Sequence, residues 1–161
     1  WGSIVKIQKS TTFALFAVLE LARDPEVQLA TGEIAEAYDI SVHHLAKVMR
    51  QLVRAGLIQS VRGAGGGYKF SANPNRITLY DVVALFEDNL ASDFEVSGAS
   101  VGTGIGRALQ MVGDEIEDLT RATLQSITLT TLLRHAARAE AAPTPVEIRE
   151  AVLESDLEPL T

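Results

Sequence analysis

The chain has 161 residues, 47% of them hydrophobic and 22% charged, with a formal net charge of −7 and no cysteine. Those proportions describe a folded chain with one compact domain plus an extension, and the missing thiols exclude disulfides and every thiolate-ligated metal or iron–sulfur centre. No apolar run approaches the roughly 20 residues of a membrane span, and the opening residues lack a signal-peptide layout, so no membrane association and a cytoplasmic location are expected.

In chain order, Ser10 or Thr11 is placed to cap a first helix running to Arg23. Phe13, Leu15, Phe16, Val18, Leu19, Leu21 and Ala22 make it apolar nearly all round. A helix hydrophobic on most sides is buried on most sides, so it is expected to pack against both its own domain and a partner element. Asp24-Pro25 ends it, and Val27 to Ala30 has room for a short strand. Thr31 then caps a second short helix, with Glu33 in its first turn where the dipole favours an anion. Ile34, Ala35 and Ala37 supply its inner face, and Tyr38-Asp39-Ile40 makes a brief turn.

Ser41 is a good N-cap for a third helix, and Gly56 stands where that helix would stop. Leu45, Val48, Leu52 and Val53 give it one buried face. His43, Lys47, Arg50 and Arg54 follow at i, i+4, i+7 and i+11, so they form one stripe on the other face. Two helices separated by about three residues make the helix-turn-helix arrangement. Leu57 to Arg62 and Gly67 to Ser71 then read as two strands joined by a glycine turn, a hairpin wing.

Charge is distributed unevenly. Residues 1–40 carry three Lys/Arg and six Asp/Glu (−3), and residues 81–161 carry five Arg and fifteen acids (−10). Residues 41–80 carry Lys47, Arg50, Arg54, Arg62, Lys69 and Arg76 with no acid (+6). Steering toward a polyanion depends on the local patch, because salt screens charges beyond about 8–10 Å. The bland alternative is a solvated face that happens to be basic.

On double-stranded DNA, phosphate contacts are expected from Lys47, Arg50, Arg54, Lys69 and Arg76. Base readout is expected from the start of the third helix, through Ser41, His43, His44 and Lys47, with Ala46 offering a methyl group to thymine. Arg62 at the wing tip suits a minor groove. Gly63, Gly65, Gly66 and Gly67 permit close approach and positive φ, and Tyr68 belongs to the same surface. Read instead as a phosphate-cradling nucleotide loop, these glycines would be followed by a helix, whereas Tyr68-Lys69-Phe70 has strand character. His43 and His44 point about 100° apart on a helix, a poor chelate, and no metal site is expected.

Asn73-Pro74-Asn75 closes the hairpin. Thr78-x-x-Asp81 is a capping-box variant ahead of a helix over about 79–88. Residues 93–106 lose periodicity and are rich in glycine and serine. From Ile105 the apolar positions recur as Ile105, Leu109, Val112, Ile116 and Leu119, a heptad-like seam beside Asp114, Glu115, Glu117 and Asp118. It reads as a dimerisation seam or, alternatively, as a helix packed on its own domain. Thr128 begins a short helix through Leu133, Ala139 to Pro143 reads as a linker, and Thr144-Pro145-Val146-Glu147 opens a terminal helix of about 145–154. No Ser/His/Asp or paired-carboxylate arrangement stands out, and His135 lies in an Arg-rich context that reads as surface. No catalytic activity is expected.

The segment Ser60-Val61-Arg62-Gly63-Ala64-Gly65-Gly66-Gly67-Tyr68 resembles the wing signature of the Rrf2 family of bacterial transcription regulators. The similarity runs from Ile7-Gln8-Lys9-Ser10-Thr11-Thr12-Phe13-Ala14-Leu15 to Ser126-Ile127-Thr128-Leu129. The resemblance implies a winged helix-turn-helix dimer with a long dimerisation helix, usually a repressor on a pseudo-palindromic operator. Many relatives sense iron, nitric oxide or redox state through an iron–sulfur cluster held by three cysteines in a loop matching Ser92 to Gly104. No cysteine stands there, and Thr12 matches the position where some relatives place an acidic ligand. Either this member answers another signal, or serines or alanines stand in place of cysteines; no cofactor is expected.

The expected fold is therefore mainly α with a small β wing. Residues 4–90 form a winged helix-turn-helix domain and 91–106 a sensor-like loop. Residues 107–139 hold the dimerisation helix and a following short helix, and 140–161 a C-terminal tail helix. The rival is a winged-helix protein-interaction module that has lost DNA binding.

Overall fold

The computed structural model describes residues 7–88, 90 and 102–142. Most of the sensor-like loop and the whole of the expected helix at 145–154 lie outside the described residues. Among those described, six helices surround a two-stranded antiparallel sheet: α1 (Lys9–Arg23), α2 (Thr31–Ala37), α3 (Val42–Arg54), β1 (Ile58–Val61), β2 (Gly67–Phe70), α4 (Leu79–Val83), α5 (Gly104–Ser126) and α6 (Leu129–Ala141). A mainly helical fold with a small wing is what the sequence led us to expect.

The core forms around α1. Ala14, Ala17, Val18, Leu21 and Ala22 are buried, and the small residues among them let α3 come close with Leu45, Val48, Met49 and Leu52. Phe70 of β2, Val82 of α4 and Leu129 of α6 complete it. Each of the larger side chains (Val, Leu, Met and Phe) contributes about 1.5–3 kcal/mol on burial. The expectation that α1 is sheltered on most sides holds for this face; Phe16 remains 38% exposed, with its ring stacked 4.4 Å from that of Tyr38. Met49 joins the buried face of α3, while Val53 is only partly covered.

Two tight stops fix the helix-turn-helix. At the end of α2 the Ile40 amide donates to the Ala35 carbonyl at 2.8 Å, with Asp39 at φ +51. At the end of α3 the Leu57 amide reaches the Leu52 carbonyl and Gly56 the Val53 carbonyl, with Gly56 at φ +74. Both are Schellman-type closures, and the left-handed residue turns the chain sharply into the next element.

The helix starts differ from expectation. α1 begins at Lys9, and no side chain of its own first turn caps it. The acceptor comes from Glu87, 76 positions beyond Thr11: its carboxylate accepts the Thr11 hydroxyl and the Gln8 amide, the latter at 2.7 Å. Thr31 is the first helical residue of α2 rather than its cap, and the Glu33 carboxylate instead takes the Ala30 amide at 2.6 Å. The Thr78–Asp81 box forms in both directions, at 2.8 and 3.2 Å. Even so α4 stops at Val83, short of 88. The Leu85 and Phe86 amides tighten onto carbonyls three residues back, and the Gln51 side-chain amide takes the Leu85 carbonyl.

The strand expected at 27–30 contracts to one bridge, Leu29 paired with Tyr68. The wing pairs Ile58 with Phe70, Gln59 with Lys69, Ser60 with Tyr68 and Val61 with Gly67.

Thr78 and Thr128, each an N-cap, face each other across a second bridge in which Leu79 donates to Ile127 and Leu129 to Ile77, both at 2.9 Å. That clamp anchors the C-terminal end of α5. The helix is 23 residues long, about 35 Å, and it starts at Gly104, one residue before the seam begins at Ile105. α6 runs through the expected linker to Ala141, since Ala139-Glu140-Ala141 favours helix. It ends where Ala142 turns extended ahead of Pro143.

Candidate nucleic-acid interface

His43, Lys47, Arg50 and Arg54 are all exposed, as their spacing required, because the opposite face of α3 is held in the core by Leu45, Val48, Met49 and Leu52. Ser41 sits at the N-cap position, exposed, with no capping bond from its side chain. His43 and His44 are exposed on the same first turn, and Ala46 is partly covered.

Between α3 and the wing lies an open trough of about 580 Å³ lined by Lys47, Arg50, Gln51, Val53, Arg54, Ser60 and Tyr68. The structure thus brings three cations of the stripe against the wing strand and its tyrosine. Gln51 and Ser60 are the lining residues that sequence reasoning missed. Gln51 is neutral and carries no charge signal, and its bond to the Leu85 carbonyl spans 34 positions. A second cleft, about 200 Å³, is lined by His44 and Lys47 together with Lys9, Ser10, Phe13 and Phe86. Lys9 and Ser10 were likewise missed, because nothing local connects the start of α1 to α3.

Lys69 lies elsewhere. On a strand, alternate side chains face opposite sides; Tyr68 and the buried Phe70 turn toward the domain, so Lys69 points to the other side of the wing from the trough. Arg76 belongs to the turn after the hairpin, at the end away from the wing tip. Arg62, Gly63 and Gly65 form the exposed tip. Gly63 (φ +123) and Gly65 (φ +75) supply the left-handed turn. Gly67 serves a separate purpose: a Cβ there would collide with the Leu29 carbonyl oxygen.

The electrostatics match the sequence segments. Among the described residues no carboxylate lies within ion-pair distance of Lys47, Arg50, Arg54, Arg62 or Lys69. By contrast Arg23 pairs with Glu140 at 3.0 Å and Arg121 with Glu117 at 2.8 Å. An unpaired cation row beside a groove is suited to phosphates spaced along a duplex.

The seam residues lie outside the domain core. Ile105 is 77% exposed, Leu109 45%, Val112 49% and Leu119 60%, and Ile116 is partly covered. At 3.6 residues per turn the five fall within an arc of about 80°. Gly106 and Gly113, on an adjoining face, are buried. The described residues contain no group of three His, Cys, Asp or Glu that could hold a metal ion. With no cysteine in the chain, the donor set does not fit a thiolate-held cluster.

Known proteins share this fold. The sequence profile of a family described as "Rrf2: Iron-dependent Transcriptional regulator" matches residues 7–135. A putative HTH-type transcriptional regulator, BadM of Rhodopseudomonas palustris, is 51% identical over 130 residues, 81% of this chain and 82% of that protein. Among solved structures, CymR of B. subtilis, the global cysteine regulator, superposes with a TM-score of 0.67 at 29% identity, over 81% of this chain and 98% of its own. IscR of T. potens gives 0.69 at 26% identity, over 87% and 94%.

Proposed function

Since the chain belongs to the Rrf2 family of transcriptional regulators, winged-helix DNA-binding proteins rather than enzymes, we propose that it acts as a cytoplasmic homodimer, repressing transcription from a pseudo-palindromic operator. The observation that carries this reading is the trough between α3 and the wing, a row of cations with no ion-pair partner among the described residues, in a chain of net charge −7. Inserted in the major groove, the first turn of α3 would present Ser41, His43, His44 and Lys47 to base edges. Lys47, Arg50 and Arg54 would lie against phosphates, and Arg62 would enter the adjacent minor groove. Lys69, on the far side of the wing, would reach a different stretch of backbone or none.

The stripe of exposed Ile105, Leu109, Val112 and Leu119 with the partly covered Ile116 supports pairing of α5 with a second copy. Solvated, it leaves large apolar side chains in water; paired, it buries them as a coiled-coil seam does. Two reading heads would then meet half-sites about one helical turn, roughly 34 Å, apart. A signal received near residues 92–106 would alter that spacing through α5. The chain supplies no thiolate, so the signal would be taken without a cysteine-bound cluster. Replacing residues 92–101 with an inert linker should abolish the response while leaving DNA binding; unchanged regulation would remove the loop from the mechanism.

The test of the whole reading is capture of genomic fragments by the purified protein, followed by sequencing. It should recover a shared inverted repeat with half-sites one helical turn apart. Recovery of random fragments only, or of none, is the outcome expected of a winged-helix interaction module and would overturn the proposal.

A further inference from the structure

The start of α1 stands beside the reading helix, and it carries a cation that the expected contact surface does not include. Lys9 and Ser10 line the same cleft as His44 and Lys47, although 35 residues separate Lys9 from His44. Phe13, Val48 and Phe86 supply its apolar lining and Gln51 a neutral amide, and no carboxylate is among the lining residues. Lys47 borders this cleft and the trough alike, so the cations run on from Arg54 through Arg50 and Lys47 to Lys9. The backbone at this end is held in place. Glu87 accepts from the Gln8 amide and the Thr11 hydroxyl, and the Gln8 side-chain amide donates to the Phe86 carbonyl at 3.2 Å. With Glu87 already occupying the helix end, what the cleft offers an anion is its side chains: the ammonium groups of Lys9 and Lys47 and the Ser10 hydroxyl.

We propose that this cleft is a second backbone anchor, in which Lys9 and Ser10 of α1 close with Lys47 of α3 on one phosphate at the edge of the major groove, beside the base-facing His44. The inference rests on the DNA-binding reading above and extends it to an element outside the helix-turn-helix. Phosphate contacts set register on a duplex without reading sequence. A clamp made from two helices would fix the tilt of α3 in the groove, whereas the stripe on α3 alone would let it roll. Glu87 is the positioning residue: it holds the first turn of α1 where Lys9 can reach.

The experiment compares the full chain with Lys9→Gln, Lys9→Arg and Lys47→Gln variants, by fluorescence anisotropy on a fragment recovered from genomic capture. Salt is varied from about 50 to 300 mM, and methylphosphonate linkages are placed one at a time along the backbone. Lys9→Gln should weaken binding about 3- to 10-fold and make the slope of log affinity against log salt measurably shallower, by up to about one per subunit, while Lys9→Arg restores both. One methylphosphonate position should weaken the wild type and leave Lys9→Gln unaffected, a coupling that a merely structural role would not produce. If Lys9→Gln keeps the wild-type slope and methylphosphonate profile while Lys47→Gln loses slope, the clamp is refuted and the DNA-binding reading stands. If the wild type binds no duplex at all, both fall.

Discussion

The face made by α3 and the wing differs from α5 in what each leaves unsatisfied. Both carry arginine. On α5, Arg121 pairs with Glu117 at 2.8 Å and lies 6.0 Å from the Tyr80 ring centroid, so its charge is answered within the chain. On α3, Arg50 and Arg54 face a trough with no acid in its lining. The apolar content is reversed: α3 buries Leu45, Val48, Met49 and Leu52, whereas α5 exposes Ile105, Leu109, Val112 and Leu119. One region lacks anions and the other lacks apolar neighbours. An incoming polyanion would complete the first, and a like helix the second.

The largest effect is expected where the apolar deficit is made permanent. Leu109→Asp with Val112→Asp places charges in the middle of the seam and should leave a folded monomer by light scattering. Duplex affinity should drop about 100-fold or more as the two heads lose their linkage. A double variant that remains a dimer would show that α5 packs some other way. Next, Arg62→Ala should weaken specific binding by about 1–3 kcal/mol, read as a titration against specific and scrambled duplexes. Unchanged affinity would make the wing tip structural.

Gly67→Ala separates the structural glycine from those at the tip. Its Cβ would press on the Leu29 carbonyl, an overpacking that costs about 1–3 kcal/mol in urea unfolding; an unchanged midpoint would mean that the Leu29–Tyr68 bridge yields. The smallest difference is between two arginines. Arg50→Gln should make the salt slope shallower by about one per subunit, and Arg121→Gln should leave it unaltered.

Much of the reading face was legible because it rests on local spacing. The i, i+4, i+7, i+11 stripe, the stop at Gly56 and the Thr78–Asp81 box each lie within a dozen residues, and each has a backbone reason. Lys69 was grouped with the stripe on charge alone, and strand alternation beside the buried Phe70 puts it on the far side instead. What sequence could not supply were pairings set by tertiary contact. Glu87 caps a helix that begins 78 positions before it, so no local cap signal at Ser10 or Thr11 competes. Lys9 shares a cleft with His44 only because the core brings α1 onto α3, and the two N-caps Thr78 and Thr128 find each other across the length of α5. Composition reads Ala139 to Pro143 as a linker, yet alanine's helix preference carried α6 to Ala141, two residues before the proline.

The most direct measurement of the central claim is the salt dependence of duplex binding by the wild-type chain. Two subunits that each neutralise about three to five phosphates should give a slope of about −5 to −9 in log affinity against log salt. A slope shallower than about −3, or no binding at low salt, would mean that the unpaired cations of α3 and the wing face solvent alone.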